Sequence, residues 1–216
     1  MREWSKNVLI ETEFDRNRHL FRSPTIIQIV DEAVGFLLKS PVNVLPPIVR
    51  FDVAGVYALY YFGQFAPYAR LAALNRDECM RPIYVGKAVP PGWRQARNTV
   101  INAASLQQRL REHARNIELT KNLKTSDFAC RFMIMEGQES NLISTVESEL
   151  IRRFTPLWNS VVDGFGNHDP GRGRYSQSPS EWDVLHPGRV WAKKLTGKRP
   201  SLRMITAKIE QATAAW

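Results

Sequence analysis

Glu147 is a carboxylate where an ordinary surface helix would not place one, and its partner decides the chemistry of this chain. From Leu142 to Phe154 the apolar side chains fall at 142, 143, 146, 150, 151 and 154, which is the spacing of one helical face. Glu147 lies four residues after Ile143 and three before Leu150, so it is expected to point toward the core. A lone buried carboxylate is costly unless a cation or a metal ion neutralises it. The residues alone leave both solutions open: an ion pair with Arg109 or another buried cation, or a metal site. Arg109 and His113 share a face of a second helix at i and i+4. A guanidinium can hold an anion through two parallel hydrogen bonds. An imidazole can move protons near neutral pH, although a lone histidine in an apolar stripe is more often a satisfied core residue. Tyr57 and Tyr84 sit in two apolar and aromatic runs, where a core role would be the ordinary one. With a reference pKa of about 10, a phenol acts as a base only beside a cation, and Lys87 is close enough in sequence to supply one to Tyr84.

The elements that must position these groups are legible. Ser23-Pro24, followed by apolar residues from Ile26 to Leu38, predicts a helix with a serine cap that stops before Pro41. Gly55 to Phe62 predicts a strand with Tyr57, Leu59 and Tyr61 on one face, and Pro82 to Lys87 predicts a second. The connection between them allows a short helix near Tyr68 to Leu74. Pro90-Pro91-Gly92 opens a basic loop. A helix is expected from about Ala103 to Ile117, a third strand from Phe128 to Met135, and then the helix bearing Glu147, which Pro156 ends. From Asp163 to Arg174 the chain is rich in Gly, Pro and Arg, and a last helix is predicted near Arg203 to Ala214.

The chain has 216 residues, 44% of them hydrophobic, enough for one domain with elaborations. No apolar run is long enough to span a bilayer and no signal-peptide core follows Met1, so a soluble, cytoplasmic protein is expected. Cys79 and Cys130 lack the spacing of a zinc site or a disulfide framework. The net charge of +9 is concentrated: residues 87–125 carry eight Lys and Arg against two acids, and residues 152–216 carry eleven against five. Such an excess suggests a face for a polyanion, against the plainer reading of a solvated surface.

In their order these pieces carry a resemblance. Gly55-Val56-Tyr57 and, 27 residues after Tyr57, Tyr84-Val85-Gly86-Lys87 resemble the two halves of the motif that names the GIY-YIG nuclease family. Arg109 with His113, then Glu147-Ser148-Glu149-Leu150-Ile151, then Pro156-Leu157-Trp158-Asn159 follow in the family's order. The longer stretches Gly55 to Tyr61, Pro82 to Pro90, Gly92-Trp93-Arg94-Gln95 and Trp158 to His168 resemble the type II restriction endonuclease branch whose members cut the palindrome CCGCGG. That branch also has a histidine, here His113, where many members have a tyrosine.

The resemblance implies an α+β fold: a GIY-YIG nuclease core with a three-stranded antiparallel sheet flanked by helices, and helical or loop elaborations at both ends. Residues 1–216 would form a single domain, with the catalytic core at 50–160, an N-terminal helical extension at 1–49 and a basic C-terminal extension at 161–216. It implies metal-dependent hydrolysis of phosphodiester bonds in double-stranded DNA. Glu147 would bind one Mg²⁺, with Mn²⁺ as a substitute, and Arg109 would hold the scissile phosphate. Tyr57 or Tyr84 would orient or deprotonate water with help from Lys87, and His113 would assist as acid or base. Asn159 would bond either backbone or phosphate, and Glu149 would be a solvated charge. Arg94 and Arg97 in the first basic loop, and Asn167, His168, Arg172 and Arg174 in the second, are the candidate DNA contacts. One set of catalytic groups per chain and a palindromic site imply a homodimer on DNA, and a restriction enzyme implies a cognate DNA methyltransferase. The alternatives are a repair or homing-type nickase of the same family and, in another class, a non-catalytic DNA-binding module.

Overall fold

The computed structural model describes residues 13–89 and 106–216. Arg94 and Arg97 therefore lie outside the described residues. Helix α1 is the single turn Arg16–His19 and α2 spans Pro24–Lys39, beginning after Ser23 with proline in its first turn. Strand β1 (Asn43–Val44) and strand β2 (Gly55–Tyr61) precede the short helix α3 (Ala69–Asn75) and strand β3 (Tyr84–Ala88). Helix α4 (Leu106–Glu118), strand β4 (Phe128–Ile134) and helix α5 (Ile143–Phe154) complete the central layer. Two further helices, α6 (Glu181–Leu185) and α7 (Leu202–Thr213), follow in the C-terminal part.

The sheet has four antiparallel strands in the order β1-β4-β2-β3, one more than the sequence predicts. The extra strand is only two residues long, Asn43 opposite Cys130 and Val44 opposite Ala129, too short for any alternation to betray it. The three predicted strands are present within a residue or two of their expected ends, as are α2, α5 and α7.

All seven residues of β2 are buried, because both faces of the sheet are covered. Tyr57, Leu59 and Tyr61 share one face, as their alternation requires, and pack with Leu106, Leu110, Ala114 and Ile117 of α4 and with Trp158, Phe165, Trp182 and Ile209. Val56, Ala58 and Tyr60 face the other way, onto Val30, Val34 and Leu37 of α2 and Ile143, Val146 and Leu150 of α5. The C-terminal residues thus join the core that carries Tyr57. Helices α4 and α5 lie on opposite faces, so groups they carry can meet only around the edge strand β3.

Two glycines of the paired motifs are explained by close approach. A Cβ on Gly86, which sits opposite Tyr57 in the β2–β3 ladder, would collide with the Tyr57 ring, and one on Gly55 would collide with the Met133 carbonyl oxygen. The outer edge of β3 is itself covered. The Trp158 amide donates to Ile83 O at 2.9 Å, and Asn159 accepts from the Val85 amide at 2.8 Å and donates to Val85 O at 2.9 Å. Thr155, in the left-handed region at φ 41°, ends α5 and lets Pro156 begin the turn that makes these bonds.

Candidate active site

Four of the predicted groups converge at the α4 face of β3. The Tyr57 hydroxyl lies 2.6 Å from Nε2 of His113, and both side chains are buried. The Tyr84 ring packs edge-on to His113 at 5.0 Å and lies 6.3 Å from the Tyr57 ring. Arg109, one turn before His113, is 36% exposed in its side chain and bonds Glu112 Oε2 at 3.1 Å and His168 Nε2 at 3.2 Å through Nη1. Partial burial opposes the Arg109 charge, but the Glu112 hydrogen bond and the neighbouring phenols outweigh it and raise its pKa.

Glu147 reaches the same edge from the opposite face. Its Oε2 lies 2.6 Å from the Lys87 ammonium, with 17% of the Glu147 side chain and 32% of the Lys87 side chain exposed. This corrects one expectation and decides a choice the sequence left open. Glu147 is at the rim of the core rather than inside it, because α5 crosses the sheet where β3 ends the layer. Its partner is Lys87 and not Arg109. The carboxylate is nonetheless near enough to both phenols to raise their pKa values.

The expectation that Lys87 favours a phenolate is also corrected. Burial pushes the Tyr57 hydroxyl well above 10, and nearby Tyr84 and Glu147 add to the effect against the pull of Arg109. Burial and then Glu147 push Tyr84 to about 12. Lys87 is engaged by Glu147, so both phenols carry their protons at neutral pH. His113 is pushed down to about 3, by burial first and then by the charges of Arg109 and His168, and is neutral.

A second Tyr–His pair shows what is unusual about the first. The Tyr68 hydroxyl lies 2.7 Å from Nε2 of His186 and accepts from Trp158 Nε1 at 2.8 Å, and Nδ1 of His186 lies 3.0 Å from Asn122 Oδ1. Asn122 donates its amide to Leu185 O, which leaves Oδ1 as the acceptor facing His186. Every polar atom in that chain is satisfied, as a structural core network requires. Nδ1 of His113, by contrast, is buried with no partner among the described residues. An orphaned buried nitrogen costs about 1–3 kcal/mol, so Nδ1 of His113 needs a partner that the described residues do not supply.

Both histidines are held neutral, which fixes a pH dependence. Burial lowers His186 to about 3 as it lowers His113, so the unfolded chain binds these protons near pH 6.5 and the folded chain does not. The stability they provide is complete above about pH 6.5 and is lost as pH falls toward about 3, at roughly 1 kcal/mol per pH unit for each histidine. Urea unfolding at about pH 7 and about pH 5 is expected to show this loss, and His186→Gln should reduce the slope; a pH-independent midpoint across that window would contradict it.

The remaining candidates are more spread. Asn159 uses its amide on the Val85 backbone, the backbone-bonding option of the two expected for it. Glu149 points away from the site and bonds Arg152 and Arg153, and Arg153 also pairs with Asp31 of α2. Asn167, Arg172 and Arg174 are exposed on the C-terminal loop, and Arg174 lines a groove with His168 and Asn159. His168 is brought directly to Arg109. Phe165 was not singled out from the sequence, yet its ring stacks on His113 at 4.6 Å and meets Tyr84 edge-on at 4.9 Å. Its only local signal is an aromatic in a polar, glycine-rich stretch.

Among the described residues no helix is long and apolar enough to cross a membrane, and no group of three or more His, Cys, Asp or Glu could hold a metal ion. A search of curated proteins finds no match. The family model described as Eco29kI GIY-YIG domain matches residues 49–213, and thus spans both halves of the tyrosine motif, Arg109, Glu147 and the C-terminal loop. With three quarters of its length matched and the paired tyrosine strands, the α4 arginine and the α5 carboxylate gathered at one sheet edge, the chain belongs to the Eco29kI GIY-YIG family of restriction endonucleases.

Proposed function

We propose that the chain is a type II restriction endonuclease that hydrolyses phosphodiester bonds in double-stranded DNA at a short G·C-rich palindrome, CCGCGG, acting as a homodimer with a cognate methyltransferase. The observation that carries this reading is the meeting of Tyr57, Tyr84, Arg109 and His113 with Lys87 and Glu147 around β3. Hydrolysis needs an activated water, a clamp on the phosphate, and charge stabilisation as the 3′ oxygen leaves.

Arg109 supplies the clamp. Its guanidinium stays charged and remains accessible between Glu112 and His168. Glu147 is the residue that would hold a divalent cation. One accessible carboxylate, with water and phosphate oxygens as the other donors, suits Mg²⁺, with Mn²⁺ as a substitute, better than zinc. When bound there, the cation supplies charge stabilisation for the phosphate and the leaving oxygen. Lys87, already on Glu147 Oε2, competes for that carboxylate.

Because both phenols are protonated, water activation proceeds as a relay. Tyr57 accepts a proton from the attacking water as its own hydroxyl proton passes to Nε2 of His113, leaving hydroxide for phosphorus, a neutral phenol and an imidazolium. The 2.6 Å contact and the greater acidity of a phenol than of an imidazole N–H support Tyr57 as the donor in this pair. The phosphate charge offsets the imidazolium as it forms.

Digestion of plasmid DNA with Mg²⁺, followed by sequencing of the ends, tests the reading. Discrete fragments ending within CCGCGG, formed by double-strand breaks without build-up of nicked circles, are the expected result. Nicking without a fixed site would replace it with a nickase, and intact plasmid would remove the nuclease assignment.

A further inference from the structure

One buried charge has no part in the roles above. Arg189 is 1% exposed and sits in the C-terminal part of the chain. Its Nε and Nη2 donate to the two carboxylate oxygens of Asp183 at 2.7 and 2.8 Å. Nη2 also donates to Gly164 O at 2.9 Å, and Nη1 donates to the carbonyls of Phe165 and Asn167 at 3.1 and 3.0 Å. All five N–H donors of the guanidinium are therefore used. The group lies 4.6 Å from the rings of both Trp182 and Trp191. Asp183 accepts in addition from Ser180 Oγ at 2.7 Å.

Stability alone does not call for this arrangement. A buried ion pair is often replaceable by apolar side chains of similar volume without loss, since desolvation cancels much of its attraction. An apolar side chain cannot gather three carbonyls of one loop onto a single point. Those carbonyls flank the two loop side chains that touch the catalytic groups: Phe165 on His113 and Tyr84, and His168 on Arg109.

We infer that Arg189, clamped by Asp183, is a positioning residue for the active site: it fixes residues 164–167 so that Phe165 seats on His113 and His168 reaches Arg109. The activity side of this inference rests on the nuclease reading. Its structural side does not.

The double variant Asp183→Leu with Arg189→Met removes both charges, so neither is left buried without its partner. The intact chain is examined by circular dichroism, by NMR of the His113 ring protons without DNA, and by single-turnover cleavage compared with DNA affinity. His113→Gln identifies the resonances. The expected result is a folded variant whose His113 signals leave the positions set by the stacked Phe165 ring. Cleavage should fall roughly 10²-fold, as small misplacements of catalytic groups do, with DNA affinity close to wild type. A folded variant with unmoved His113 signals and wild-type cleavage overturns the inference. If the double variant does not fold, Arg189→Lys, which keeps the charge but cannot span the same acceptors, is read in the same way. If neither folds, Arg189 is a folding residue and the inference is likewise overturned. A wild-type chain that cuts no DNA defeats the nuclease reading, and the His113 signals still decide the positioning role.

Discussion

Glu147→Ala is expected to lower DNA cleavage by at least about 10³-fold while leaving specific DNA binding intact, because on the proposed metal reading it removes the anchor for the charge that stabilises the phosphate and the leaving oxygen. Binding should hold or tighten, since the substitution deletes a negative charge from a surface that must approach phosphates. The competing account is that Glu147 is only the partner of Lys87. A partly exposed ion pair contributes about 0–1 kcal/mol, so on that account the variant would stay folded and active, and Lys87→Ala would behave in the same way. The metal account separates the two substitutions. Calorimetric titration with Mg²⁺ should show no binding to the Glu147→Ala chain and tighter binding to the Lys87→Ala chain, which has lost the competing ammonium. Cleavage by Glu147→Ala at the wild-type rate would remove the metal assignment.

How far the site could be read from the sequence depended on the range of each signal. The helix face around Glu147 is a local pattern of 13 residues, and it placed the carboxylate correctly on α5. It could not say that α5 packs over the edge strand β3, so a side chain that periodicity assigns to the core emerges at the rim beside Lys87. The spacing of Arg109 and His113 is also local and held, because both lie on α4. Strand β2 was legible as a strand with Tyr57, Leu59 and Tyr61 on one face, but its pattern did not tell that α2 and α5 cover the other. Strand β1 has two residues and no pattern to read. The least legible part is the C-terminal shell. Asp183 and Arg189 form a buried pair across a turn, and Arg189 bonds carbonyls more than 20 residues away, which no periodicity encodes. Likewise, Tyr57–His113 and Tyr68–His186 look alike as residue types. In the structure, the Nδ1 of His113 that has no partner among the described residues, and the place of the pair at the β3 edge, set the two pairs apart.

Tyr57→Phe is expected to reduce the single-turnover cleavage rate by about 10²–10⁴-fold, the range for loss of a positioned proton-transfer group. Among the described residues the Tyr57 hydroxyl is the side-chain group hydrogen-bonded to Nε2 of His113, and the Phe ring keeps the packing against Gly86 that the strand pair requires. If the relay is a unit, losing either end should cost nearly as much as losing both. Tyr57→Phe, His113→Gln and the double variant should then fall to similar rates, far from the product of the two single effects. Independent roles would give the product instead, with the tyrosine acting as a base without the histidine. The pH profile gives a further distinction. A base working as free phenolate would make the rate climb toward the raised phenol pKa, because so little of it is ionised at neutral pH. In the relay the phenol must be protonated and His113 neutral, conditions that both hold from well below neutral pH to about 10, so the chemical step should be flat across that window. Measured rates that rise tenfold per pH unit through neutrality, in the absence of a change in metal or DNA affinity, would exclude the relay and return the catalytic proton to the phenol alone.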